Sequence, residues 1–218
     1  MKTSYLDFLL CGGAITLVLL ITFGLMAFVV VPVTTPLFGE YHVIVDFLLV
    51  LLVYGVVSAL LTRLMLRVRP LVPGEYSMDS AAFAYWKLLT IVYRLGQAAL
   101  IPFTPVFLKP VVESLFGAKI GPNVALGGVL EDPFMITVCE GAVLGRGSLV
   151  SGNVILDGKI RFGHVTIGKE ALVGINATVL PGVTVGEKAH VTGGAIVLAG
   201  STIPDGETWR GIPARKWM

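Results

Sequence analysis

The run Val179-Leu180-Pro181-Gly182-Val183-Thr184-Val185-Gly186 decides the fold. Val179 and Val185 are six positions apart, and Ala177 and Val183 stand two positions before each. Working outward, the same phase gives Ile167, Val173, Val191, Val197 and Ile203, preceded by Val165, Ala171, Ala189, Ala195 and Ser201. It recurs upstream at Ile120, Leu126, Val138, Leu144 and Val150, with Ala118, Val124, Ile136, Ala142 and Ser148 in the small position. Such a fixed period marks a repeat architecture, and three hexads close one triangular coil of about 18 residues. The aliphatic and small residues point into a narrow prism, and the frequent glycines allow close approach or positive φ at the corners. A helical reading fails, because the apolar spacing is six rather than three and four. Asp132 breaks the phase, and Pro133 beside it points to a loop at a coil corner.

The first half of the chain has another character. Hydrophobic residues make up 55% of the whole and charged residues 14%, against roughly 25% charged in soluble domains. The excess lies mostly before Ile120. Phe8–Val31 carries no charge and exceeds the about 20 residues needed to cross a hydrocarbon core. The run is too long for a signal-peptide core, and no small-x-small cleavage pattern follows it. Val43–Leu61 is a second apolar run, interrupted by Asp46, which reads as a hydrated helix-end residue. With Pro32, Pro36, Gly39 and Glu40 between them, the two runs predict a transmembrane helical hairpin over residues 1–70.

Arg63, Arg67 and Arg69 follow the second run and Lys2 precedes the first, so positive-inside reasoning places both termini in the cytoplasm. The protein is therefore expected in the inner (plasma) membrane, with the repeat domain cytoplasmic. Segments Ala81–Leu100 and Phe107–Phe116, broken by Pro102, Pro105 and Pro110, predict interfacial amphipathic helices within residues 71–117. The repeat occupies 118–209, with a loop extruded over 151–164 and a tail at 210–218. Cys11 falls in a span and Cys139 in a repeat, which suits a reducing compartment. A net charge of +2 without a basic-aromatic stripe gives no argument for a nucleic-acid partner, and none is expected.

The repeat resembles the hexapeptide-repeat acyltransferases, the LbetaH superfamily that includes serine, maltose and xenobiotic acetyltransferases. The residues that carry the resemblance are Val165-Thr166-Ile167-Gly168, the opening run, and the tail Gly211-Ile212-Pro213-Ala214-Arg215-Lys216. The membrane helices together with Asp132–Val138 and the loop up to Asp157 resemble a narrower branch, the membrane-tethered module at the C-terminus of polyamino-acid synthetases. The resemblance implies a left-handed parallel β-helix, against the usual right-handed crossover, and a homotrimer. It also implies an acyl-CoA donor, acetyl-CoA above all, lying between two β-helices, and no metal. Small wall residues Gly174, Ala177, Gly193, Gly194 and Ala195 are then the expected pantetheine contacts, and Arg210, Arg215 and Lys216 meet the CoA phosphates or anionic lipid headgroups.

In that family a histidine in or beside the extruded loop is the general base. Here Gly152-Asn153 occupies that place, and asparagine is suited only to holding an acceptor or an oxyanion. His164, at the end of the loop, is the expected base, and Asp157 its orienting carboxylate. His42 lies in the non-cytoplasmic loop, and His190 points off the wall. The resulting expectation is an O- or N-acyltransferase acting on a lipid-linked sugar or other membrane-associated acceptor. The alternative is a non-catalytic trimeric scaffold. A γ-type carbonic anhydrase would need three histidines, and the repeat domain has two.

Overall fold

The computed structural model describes residues 5–217, which fall into two units: one reaching Leu71 and resuming over Ala81–Pro105, the other comprising Val72–Ser80 and Val106 onward. Lys2, on which part of the charge reading rests, lies outside the described residues.

In the helical unit, α1 (Tyr5–Leu25) passes through a π-helical turn, Met26–Val30, into α2 (Val31–Phe38). The expected inter-span linker is therefore mostly helix. Pro32 is at the first turn of α2, where a missing N–H costs little, and Pro36 is inside it. The Thr34 hydroxyl reaches the Val30 carbonyl at 3.1 Å and the Thr35 hydroxyl the Val31 carbonyl at 2.8 Å, each one turn earlier. Gly39, at φ 54°, breaks the helix, and α3 (His42–Val68) folds back against α1 and α2. Thr34 Oγ1 and His42 Nδ1 lie 2.7 and 2.8 Å from the two carboxylate oxygens of Asp46, so this acid ties α2 to the start of α3.

The segment expected to be an interfacial amphipathic helix is α4 (Ala81–Leu100), and it packs along α3 and α1 within the same unit. Small residues make this possible. Gly55, Ser58, Ala59 and Thr62 are buried on α3, and a Cβ at Gly55 would lie 2.3 Å from Leu100 Cγ and 3.1 Å from the Gly96 carbonyl oxygen. Lys87 on α4 pairs with Asp7 on α1, and the Tyr85 hydroxyl donates to the Met65 carbonyl at 2.7 Å.

The second unit is a parallel β-helix. A strand, β1 (Gly74–Ser77), lies in a stretch that was expected to hold helices alone, and α5 (Lys109–Leu115) precedes the first coil. Coil one is β2 (Lys119–Ile120), β3 (Ala125–Leu126) and β4 (Val129–Glu131). Coil two is β5 (Ile136–Val138), β6 (Val143–Leu144) and β7 (Leu149–Ser151). An antiparallel pair, β8 (Asn153–Leu156) and β9 (Lys159–Phe162), then leaves the prism. Coil three is β10 (Val165–Ile167), β11 (Leu172–Val173) and β12 (Thr178–Val179). Coil four is β13 (Thr184–Val185), β14 (His190–Val191) and β15 (Ile196–Val197). The chain ends with β16 (Thr202–Ile203), β17 (Thr208–Arg210) and β18 (Arg215–Lys216), which turns back antiparallel on β17.

Register stacks like on like. Ile120, Val138, Ile167, Val185 and Ile203 form one interior column, and Leu126, Leu144, Val173 and Val191 a second. The third runs Leu130, Val150, Val179, Val197. Leu130 thus fills the position expected at Asp132, because the 3-10 turn Pro133–Met135 makes that corner two residues longer. With Ala142, Ala171, Ala177, Ala189 and Ala195, these residues form one buried core. Burying each valine or isoleucine contributes about 1.5–3 kcal/mol before entropy is counted.

Candidate functional site

The extruded loop is an ordered hairpin. Asp157 and Gly158, at φ 50° and 71°, form the two-residue turn with positive φ at both positions that matches strand twist. The sequence signal was the Asp-Gly pair flanked by the alternation in Lys159-Ile160-Arg161-Phe162. β1 adds to the free edge of β9, Gly74 opposite Phe162 and Ser77 opposite Lys159, giving a three-stranded antiparallel sheet. One face buries Ile160 and Phe162 and carries Tyr76 tilted over Phe162, ring centroids 5.8 Å apart.

The other face overhangs a groove of about 410 Å³ lined by Glu75, Val154, Leu156, Asp157, Lys159 and Arg161 from the sheet, and by Leu180, Leu198 and Ala199 from the coil corners. Glu75 accepts from Lys159 Nζ at 2.9 Å and from Arg161 Nη2 at 3.3 Å. Hydrogen bonds from these two cations hold the Glu75 carboxyl below the usual carboxylate range, and the Glu75 bond raises the Lys159 ammonium above its ordinary value. Neither the helical-segment reading nor the hexad phase pointed to Glu75, Lys159 or Arg161. Glu75 is 84 positions from Lys159, and only the β1–β9 pairing brings them together.

At the hairpin base, Asn153 Nδ2 donates to Asp132 Oδ2 at 2.6 Å. Asp132 is fully buried and left-handed at φ 57°. Gly152 fits only because it has no side chain, since a Cβ there would be 2.6 Å from Met135 Cβ and 3.1 Å from Asp132 Cβ. Ser151 Oγ donates to the Asn153 carbonyl at 2.7 Å, and Gly163 N–H donates to the Gly152 carbonyl at 3.0 Å, closing the neck. The amide nitrogen that an oxyanion would need is engaged by Asp132. The arrangement instead leaves Asn153 Oδ1 able to accept from an N–H or O–H, so of the two expected roles it suits holding an acceptor.

His164 is exposed, directly after the neck. Asp157 is at the opposite end of the hairpin, four residues from Asn153, about 13 Å along the strand. Asp157 therefore does not orient His164 of its own chain.

The expected donor contacts divide. Gly174, Gly193 and Gly194 gather at the corner between the second and third walls, where Arg210 also ends β17. A Cβ on Gly174 would lie 2.4 Å from Gly193 N, so this glycine serves coil stacking. Ala177 and Ala195 are 0% exposed and point into the prism, which removes them as side-chain contacts to a ligand outside it. Lys216 pairs with Glu207 at 2.6 Å, and Arg210 lies over the Trp217 ring at 4.8 Å, while Arg215 is exposed on β18. Among the described residues no group of three or more His, Cys, Asp or Glu is placed to hold a metal ion.

Residues 164–199 match the family model described as the hexapeptide repeat of succinyl-transferase, and this segment is a hexapeptide repeat of the acyltransferase kind. Among solved structures, a variant of perosamine N-acetyltransferase from Caulobacter crescentus, in complex with CoA and GDP-perosamine, is similar. It is 22% identical over 47% of this chain and 51% of that chain, with a TM-score of 0.37. The acetyltransferase domain of PglB from Neisseria gonorrhoeae, in complex with acetyl coenzyme A, is 23% identical over 46% and 52%, with a TM-score of 0.36. Serine acetyltransferase from Brucella abortus is 18% identical over 76% and 56%, with a TM-score of 0.41. The chain spans about half the length of these structures. No curated protein matches the sequence.

Proposed function

We propose that the protein is a membrane-anchored, acyl-CoA-dependent O- or N-acyltransferase, with acetyl-CoA as donor, built as a homotrimer of left-handed β-helices. The observation that carries the reading is the hairpin Asn153–Phe162, set directly before the matched hexapeptide segment and roofing a groove that joins cations to an apolar floor. CoA has the same two characters, phosphates and an aliphatic pantetheine arm. The solved structures of similar fold that hold CoA or acetyl-CoA agree with this donor.

In the reaction, the acceptor oxygen or nitrogen attacks the thioester carbonyl carbon. The new C–O or C–N bond forms, the C–S bond breaks, and the CoA thiolate leaves. His164 takes the acceptor proton and returns it to the thiolate sulfur. Asn153 Oδ1 accepts a hydrogen bond from the acceptor and orients it. Arg215 and the corner at Gly174, Gly193 and Gly194 meet the donor from the adjoining subunit, which the trimer supplies.

Membrane anchoring is supported by the helical unit. The helical run Asp7–Val68 is long and apolar enough to cross a membrane, and only 17% of its most apolar window is buried within the protein. Phe8, Leu20, Phe23, Phe28, Leu37, Ile44, Phe47 and Leu60 are exposed, a surface that water would not tolerate without association. Arg63, Arg67 and Arg69 close this run and orient it with the β-helix in the cytoplasm. An acceptor confined to the same membrane is thereby concentrated near the hairpin.

The test is calorimetric titration of the detergent-purified chain with acetyl-CoA, CoA and ATP, followed by thiol release with amino- and hydroxy-sugar acceptors. CoA-selective binding with acceptor-dependent thiol release is the expected result. Absence of binding across acyl chain lengths would overturn the reading. A non-catalytic trimeric scaffold is favoured by one observation, the commitment of Asn153 to Asp132 at the place of a loop base. That scaffold would bind no acyl-CoA.

A further inference from the structure

The groove face of the three-stranded sheet holds its cations in a particular way. Glu75 is directly opposite Arg161 in the β1–β9 register and diagonal to Lys159, so one carboxylate bridges both. A cross-strand bridge on open surface would stabilise strand pairing equally well. Here the bridge lines a concavity, beside Leu156 at 68% exposure and Leu198 at 44%. Exposed leucines in a groove with converging charges describe a ligand cleft better than a stabilising patch.

We propose that this groove binds the phosphate of a ligand with an aliphatic arm, and that Glu75 is an internal stand-in for that phosphate. Binding exchanges the Glu75 carboxylate for phosphate oxygens on Lys159 and Arg161, while the arm covers Leu156, Leu180 and Leu198. The exchange is favourable because phosphate carries more charge than a carboxylate and matches the guanidinium fork. It costs little, because both bridges are exposed and screened. After exchange, β1 is held to β9 by its backbone ladder and by Tyr76 over Phe162. The inference rests on the acyl-CoA reading for one source of such a ligand. An anionic membrane lipid offers the same chemistry.

The test measures dissociation constants of the full chain in phosphatidylcholine nanodiscs for CoA and for inorganic pyrophosphate, with and without phosphatidate in the bilayer. Glu75→Gln keeps the side-chain shape and is expected to tighten binding about twofold to tenfold, the sum of two exposed bridges. Lys159→Ala combined with Arg161→Ala is expected to weaken it by about tenfold or more. Hydrogen exchange at the amides of residues 74–77 reports whether β1 stays paired. Unchanged or weaker binding of both probes to Glu75→Gln, with β1 protected, overturns the stand-in. If that variant loses β1 protection, the Lys159/Arg161 variant decides, and unchanged pyrophosphate binding sinks the idea. CoA binding that persists while neither probe tightens with Glu75→Gln removes the stand-in and leaves the acyl-CoA reading. Pyrophosphate binding tightened by Glu75→Gln, with no CoA bound by any variant, removes the acyl-CoA reading and leaves the stand-in. Competition by phosphatidate then assigns the lipid source.

Discussion

Asn153 Nδ2 donates a 2.6 Å hydrogen bond to Oδ2 of Asp132, fixing the first residue of the hairpin to a buried carboxylate 21 positions earlier. The amide N–H is the donor and the carboxyl oxygen the acceptor. Asn153→Ala removes a donor from a buried acid and is expected to cost about 1–3 kcal/mol. Asn153→Asp is expected to cost more, because it replaces the amide donor with a second carboxyl facing Asp132. Thermal unfolding of both variants checks this. Equal deficits for the two would refute it.

The glycines of the corner column are not equivalent. On Gly174 a Cβ would meet Gly193 N at 2.4 Å and Thr192 C at 2.7 Å, and backbone cannot yield without separating coils. Gly194, at φ 70°, has nothing within 4 Å of a Cβ. Gly174→Ala is expected to cost about 3 kcal/mol or more, and Gly194→Ala about 1 kcal/mol from its left-handed backbone. Denaturant midpoints of the two variants give the comparison.

His164 is exposed and outside the core, so replacing it leaves stability within about 0.5 kcal/mol. His164→Ala is expected to lower acceptor-dependent thiol release by about 10²–10⁴ with CoA affinity unchanged. Turnover retained by this variant would move the base elsewhere.

The C-terminal hairpin is expected to loosen in acid. Hydrogen bonds from Lys216 and from the Trp209 indole hold the Glu207 carboxyl below the usual carboxylate range. A carboxyl lowered in the folded state contributes stability that is present above its ordinary pKa and is lost as pH falls through the lowered one. Hydrogen-exchange protection over β17 and β18 should therefore decline in acid, and Glu207→Gln should flatten the profile. A variant profile that still falls in step with the wild type would exclude Glu207 as the cause.

The chain's own pattern determined the prism, because a period of six with small residues two before each aliphatic one can bury a continuous face only by coiling. It also determined which residues are inside: the columns through Val179, Val185 and Val191 are those the spacing marks. Single-sequence reading missed what depends on distant partners. Asp132 breaks the hexad, and only the fold shows Leu130 taking its place while the acid turns to receive Asn153. Ala177 and Ala195 fit a ligand wall by size, but the hexad phase turns them inward and the stacking leaves them fully buried. Prolines 32 and 36 read as a linker, yet Pro32 falls in the first turn of α2 and Pro36 is carried inside it. Nothing local in Gly74-Glu75-Tyr76-Ser77 specifies a partner. A strand gains its stability from the edge it joins, and the free edge of β9 exists only once the hairpin has folded.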